Sequence, residues 1–103
     1  MGLNWGPRTG HYSTTATTRL ALRMRIAGLE SNQLTARLIH VMQGQALAPA
    51  QKTFTADEAG ELAGLIGRAA RRMWWAPGWR MVAYLIASDA HLAWCEERDW
   101  VVD

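Results

Sequence analysis

The sequence predicts a mainly α protein, a small four-helix domain with helices at about 14–28, 32–43, 56–75 and 78–98. Three observations carry that expectation. Thr55 and Glu58 stand three residues apart, as a capping box requires, ahead of an apolar face repeating at 3, 4 and 7 residues. Pro77 opens a segment that holds no charge from Met81 to Ala87. Ser31 precedes and Gly44 follows another apolar-periodic run.

Composition agrees with one folded unit. Half of the 103 residues are apolar and 19% are charged, an ordinary globular balance. A chain of this length buries roughly 65% of its unfolded surface, so a single domain over 1–103 is expected. No run of about 18 uncharged apolar residues is present. The opening Met-Gly-Leu-Asn-Trp-Gly-Pro-Arg lacks the plan of a secretion signal, so a cytoplasmic protein without a membrane role is expected. The single cysteine, Cys95, excludes an internal disulfide and fits a reducing compartment.

Residues 1–13 read as an extended lead-in, with three glycines, a proline and Trp5 tied down on the core. Trp100-Val101-Val102 is β-prone, which allows a short terminal β pair if the two ends lie together. Arg19–Ile26 is ambiguous. It alternates as a strand does, yet as a helix it aligns Ala16, Leu20, Met24 and Ala27 behind a Ser13 or Thr14 cap. Residues 31–44 read as a helix capped by Ser31, which favours two short helices over 14–43. The alternative is an α+β fold in which this region forms an N-terminal hairpin. Residues 45–53 read as a loop.

The third helix presents Ala59, Leu62, Ala63, Ile66, Ala70, Met73 and Trp74 on its apolar face, with Phe54 stapled over Ala59. Gly60, Gly64 and Gly67 form a stripe beside that face. Each interior glycine costs about 1 kcal/mol relative to alanine, so close approach of another helix is expected to offset them. The fourth helix carries Trp79, Val82, Ala83, Ile86, Ala90, Ala93 and Trp94 on one face. A second stripe of Met81, Leu85 and Leu92 lies roughly 140° away. A helix apolar on two sides is central in its fold or half of an interface.

Reactive chemistry is sparse. Tyr84, Ser88, His91 and Cys95 follow one another at 4, 3 and 4 residues and can touch, but a closed zinc site needs four ligands and only His91 and Cys95 are well spaced. No phosphate-binding glycine loop, dinucleotide fingerprint or nucleophile elbow occurs. The chain therefore reads as a non-enzyme with no catalytic residue, metal, cofactor or small-molecule substrate.

Charge is polarised. Residues 1–56 hold six basic and one acidic side chain and residues 57–103 five basic and eight acidic, giving halves of +5 and −3. Arg19, Arg23, Arg25, Arg37, Arg71, Arg72 and Arg80, with Trp75 as a stacking platform, are the candidate nucleic-acid contacts. Arg68, Arg71 and Arg72 also suit the C-terminal end of the third helix, where cations complement its dipole.

From Phe54 onward, Phe-Thr-Ala-x-Glu-Ala, then Ala63, Ile66, Ala69-Ala70, Pro77-x-Trp79, Ala83, Ile86-Ala87, Asp89-Ala90, Ala93 and Trp100 resemble a family of small uncharacterised actinobacterial proteins. Met1-Gly2 with an early tryptophan is similar too. The resemblance spans residues 54–100 and implies two C-terminal helices and an α reading of 14–43. It brings no activity or site residues, and Trp74-Trp75 and the glycine stripe depart from it.

The functional expectation is a protein-interaction module, homodimeric, with Met81, Leu85, Leu92, Gly60, Gly64 and Gly67 as partner-binding residues. The alternatives are a nucleic-acid-binding regulatory or phage or plasmid accessory protein, and a small inhibitor of a larger protein complex.

Overall fold

The structure, a computed structural model, describes residues 2–103; Met1 lies outside the described residues. Its elements are β1 (Gly2–Asn4), β2 (His11–Ser13), α1 (Thr14–Ile26), α2 (Gln33–Met42), β3 (Thr53–Phe54), α3 (Ala56–Arg71), α4 (Pro77–Cys95) and β4 (Trp100–Val101). A single 3-10 turn, Pro49–Lys52, leads into β3.

Residues 14–26 are helical because of period and cap. A strand would bury Leu20, Leu22, Met24 and Ile26 together. The fold instead buries Leu20, Ala21 and Met24 and leaves Leu22 and Ile26 exposed. Ser13 Oγ accepts the Ala16 N–H to start the helix. Thr17, buried in a β-branched-rich turn, donates to the Met42 carbonyl at 2.7 Å and pins α1 to the end of α2. That end-to-end link helps offset the weak helix propensity of the threonines.

Residues 14–43 thus form no hairpin. A hairpin does occur earlier, where an extended lead-in was expected: β1 pairs antiparallel with β2, Leu3 opposite Tyr12. The cap of α2 is Asn32 rather than Ser31. Its side chain accepts the Thr35 N–H while Thr35 Oγ1 accepts the Asn32 N–H, both at 2.9 Å.

Trp100-Val101 forms a strand, but its partner is β3, with Phe54 opposite Trp100. The two ends of the chain nevertheless meet: the Asp103 N–H donates to the Asn4 carbonyl at 3.0 Å. Trp5, Phe54 and Trp100 form one buried aromatic cluster, with ring centroids of Trp5 and Phe54 at 6.0 and 5.5 Å from Trp100. Trp100 Nε1 donates to the Trp5 carbonyl. The Trp5 indole N–H is buried without a partner among the described residues, a cost of about 1–3 kcal/mol that the surrounding apolar burial must exceed.

The capping box of α3 forms as expected, with Phe54 and Ala59 both buried beside it. The Thr55 N–H, foremost, and the Arg37 guanidinium hold the Glu58 carboxyl below its ordinary range, against the partial burial that raises it. The helix stops at Arg71, four residues short of the expected end, and Leu65 and Ala69 join its buried face. Helix α4 ends at Cys95, where Glu97 adopts the left-handed conformation at φ 53°.

The residue that ties the N-terminal loop to this helical pair is Asp89 on α4, only 2% exposed. Its carboxylate accepts the backbone N–H groups of Arg8 (3.1 Å) and Thr9 (2.8 Å) and the Thr9 hydroxyl. Gly6, at φ 142°, lies so close that a Cβ there would stand 2.5 Å from Asp89 Cγ. We expect Asp89→Ala to lower unfolding free energy in urea by about 2–4 kcal/mol, since three donors lose a charged acceptor. Gly6→Ala shifts the midpoint in the same direction.

Candidate functional site

Pro77 at the first position of α4 needs no hydrogen-bonded N–H, so the helix starts sharply after the Met73–Ala76 turn. From there Ala83, Ile86, Ala87, Asp89, Ala90 and Ala93 turn inward. Met81, Tyr84, Leu85, Ser88, His91, Leu92 and Cys95 occupy the opposite side. At 100° per residue these seven span about 120°, so the apolar stripe and the polar quartet found in the sequence are one face. None of its side chains carries a carboxylate, ammonium or guanidinium. Met81 is 66% exposed, Tyr84, His91 and Cys95 are exposed, and Leu85, Ser88 and Leu92 are half-buried.

Two hollows flank this face and share Tyr84 and Ser88. One, of about 540 Å³, lies between α3 and α4 over Gly60, Gly64, His91 and Trp94. The other, of about 630 Å³, runs past Pro77, Arg80, Met81 and Leu85. At the lower end of the face, Cys95 Sγ lies 3.3 Å from His91 Nε2, and the His91 ring sits 5.5 Å from that of Trp94. In the middle, Arg8 reaches over from the N-terminal loop and donates to Ser88 Oγ.

The glycine stripe divides. A Cβ on Gly60 would meet the Trp94 ring at 2.6 Å, so this glycine seats a tryptophan of α4. Gly64 and Gly67 face open space, with no other side chain within 4 Å of a Cβ among the described residues. Trp94, placed by the sequence on the main apolar face, thus wedges against Gly60 while remaining half exposed.

The candidate nucleic-acid residues are scattered. Arg37 is committed to the fold: it pairs with Glu58 at 2.7 Å, donates to the Thr53 carbonyl and covers the Phe54 ring at 4.8 Å. Arg23 lies over the Trp79 ring at 4.8 Å and donates to the Arg19 carbonyl. Because α1 is helical, Arg19, Arg23 and Arg25 form no single stripe. Arg72 donates to the Gly28 carbonyl, Arg71 is exposed and Arg80 half-buried. Since α3 stops at Arg71, Trp74 is not on its apolar face. It is 75% exposed and Trp75 42% exposed, while Met73 before them is buried.

Sequence reasoning missed Asp89, Thr9 and Arg8. An isolated aspartate inside an otherwise apolar helical face at residues 86–93 is the signal that was available. Among the described residues no group of three or more His, Cys, Asp or Glu side chains gathers in one chain, and no helix is long and apolar enough to cross a membrane.

The fold is thus a small helical domain whose last helix presents an uncharged outer face. The chain belongs to DUF7739, a domain family of unknown function, whose model matches residues 6–103. No curated protein and no solved structure matches it. The matched segment reaches well beyond residues 54–100 and takes in Gly6 and Thr9 as well as Asp89.

Open space over two helical glycines has a direct consequence. Gly64→Ala and Gly67→Ala are expected to raise stability by up to about 1 kcal/mol each in thermal or urea unfolding. Gly60→Ala lowers it, because Trp94 must move.

Proposed function

We propose that the protein is a non-enzymatic interaction module that pairs with a second copy of itself through the outer face of α4. The observation that carries this is the run Met81, Leu85, Ser88, Leu92, Cys95, spaced 4, 3, 4, 3 on an uncharged face opposite the buried one. That spacing is the seam of two helices packed side by side, where each residue meets its counterpart or a neighbour. A two-fold contact needs a self-complementary surface, and a face with no charge of its own meets that condition without pairing like charges. Gly64, which lines the hollow beside the seam, gives a partner side chain room to approach α3. Arg8, exposed and held to Ser88 by one side-chain bond, moves to the rim when the face is covered. A cytoplasmic setting keeps the exposed Cys95 reduced.

Sedimentation equilibrium at micromolar to high micromolar concentration tests this reading. Wild-type protein is expected to sediment as a dimer, and Met81→Glu, at an exposed position that leaves the core intact, as a monomer with unchanged circular dichroism. A wild-type monomer throughout that range overturns the reading. A dimer unaffected by Met81→Glu and Leu85→Glu moves the interface elsewhere.

A second reading has its own observation. Trp74 and Trp75 are exposed and follow the exposed Arg71 and Arg72 closely in the chain, residue types that together hold single-stranded nucleic acid. On this reading single-stranded oligonucleotides quench tryptophan emission at low salt, and the effect shrinks steeply as salt rises. Trp74→Ala/Trp75→Ala removes the quenching without altering the fold. Quenching that persists in that variant, or none in the wild type at low salt, argues against it.

A further inference from the structure

We infer that His91 and Cys95 are half of a zinc-type metal site, completed across a two-fold axis by the same pair from a second copy. This rests on the α4 pairing proposed above.

The first ground is geometric. Ligands bound at about 2.0 Å (nitrogen) and 2.3 Å (sulfur) to a tetrahedral ion stand about 3.5 Å apart. His91 Nε2 and Cys95 Sγ already stand at 3.3 Å, one helical turn apart on an exposed face. Paired ligands at i and i+4 on one helix are a recurrent means of clamping zinc. The imidazole is held in place as well: it lies against Trp94, and Trp94 is wedged onto Gly60.

The second ground is stoichiometric. Within one chain the set stops at two, since no third His, Cys, Asp or Glu joins it among the described residues. A closed structural site needs four. Cys95 is the last residue of the 4, 3, 4, 3 seam, so a parallel two-fold pairing of α4 with α4, the orientation this site requires, brings each Cys95 toward its counterpart and supplies two sulfurs and two nitrogens. In that parallel arrangement the two-fold axis makes the ligand set Cys2His2.

The third ground is electrostatic. The last turn of α4 has no basic residue; of the two glutamates that follow it, Glu96 pairs with Arg98 at 3.4 Å. Two such ends placed together add the partial negative charge of their terminal carbonyls, which draws a cation toward them. On binding, each Cys95 thiol gives its proton to solvent and ligates as thiolate. A divalent ion then neutralises the two thiolates, so the completed site adds no net charge to an end that is already negative.

The test uses cobalt(II) as a spectroscopic stand-in for zinc, added to metal-free protein in a phosphine reductant that leaves Cys95 a thiol. The expected result is the intense visible absorption of a tetrahedral ion with a sulfur-to-cobalt charge-transfer band, saturating at one cobalt per two chains. Zinc abolishes the spectrum by displacement, and either metal tightens dimerisation by about tenfold or more in sedimentation. Cys95→Ser loses the charge-transfer band and His91→Ala the tetrahedral absorption, with circular dichroism unchanged in both exposed-site variants. One cobalt per chain on a monomer overturns the shared site. A dimer whose affinity no metal changes overturns the metal site while leaving the α4 pairing standing. A monomer with and without metal removes both.

Discussion

The structure hangs on a buried carboxylate. Taking Asp89 out of water is costly unless its lone pairs are filled, and an aspartate inside an alanine-rich helix face has no local donors to fill them. The N-terminal loop supplies them from a segment 80 residues away, through two backbone N–H groups and a hydroxyl. The dependence is mutual. Thr9 and Arg8 gain an acceptor for N–H groups that a tight loop leaves unpaired, and Gly6 allows the chain to come close enough to deliver them. Held there, the loop fixes the β1–β2 turn and sets Trp5 into the core against Trp100.

The same loop bears on the outer face of α4. Asp89 and Ser88 are adjacent, one turned inward and the other half-buried at the face, and Arg8 touches both through its backbone and its guanidinium. A single residue of the lead-in therefore joins the anchoring carboxylate to the surface on which a partner copy is proposed to sit. Covering that surface exchanges one solvent-accessible bond at Ser88 and leaves the Asp89 network in place.

Much of the helical framework was legible because it rests on local chemistry. Thr55 with Glu58, Pro77 at the first turn of α4 and the 3, 4, 7 repeat in α3 are short-range patterns that hold whatever surrounds them. What escaped the sequence was long-range. Arg37 looks like a free cation until Glu58, Thr53 and Phe54 are brought to it by the fold. Trp74 continues the apolar repeat of α3 on paper, but the helix turns off at Arg72 and the ring is left in solvent. At the site, each residue of the α4 face was visible, but splitting it into an apolar stripe and a polar quartet hid that both lie within one arc. The glycine stripe likewise reads as uniform in sequence, whereas Trp94 fills the space over Gly60 alone.

Vectorial synthesis meets this architecture at an awkward point. Ribosomes extend the chain at roughly 5–20 residues per second from the N-terminus. Trp5 and Thr9 emerge early, yet their acceptor and stacking partners are Asp89 and Trp100, separated from them by 80 and 95 positions. The helices α1 and α2, tied by Thr17 to Met42, have partners within reach much sooner. The N-terminal loop thus stays undocked, with an indole exposed, until Asp89 and Trp100 have left the exit tunnel.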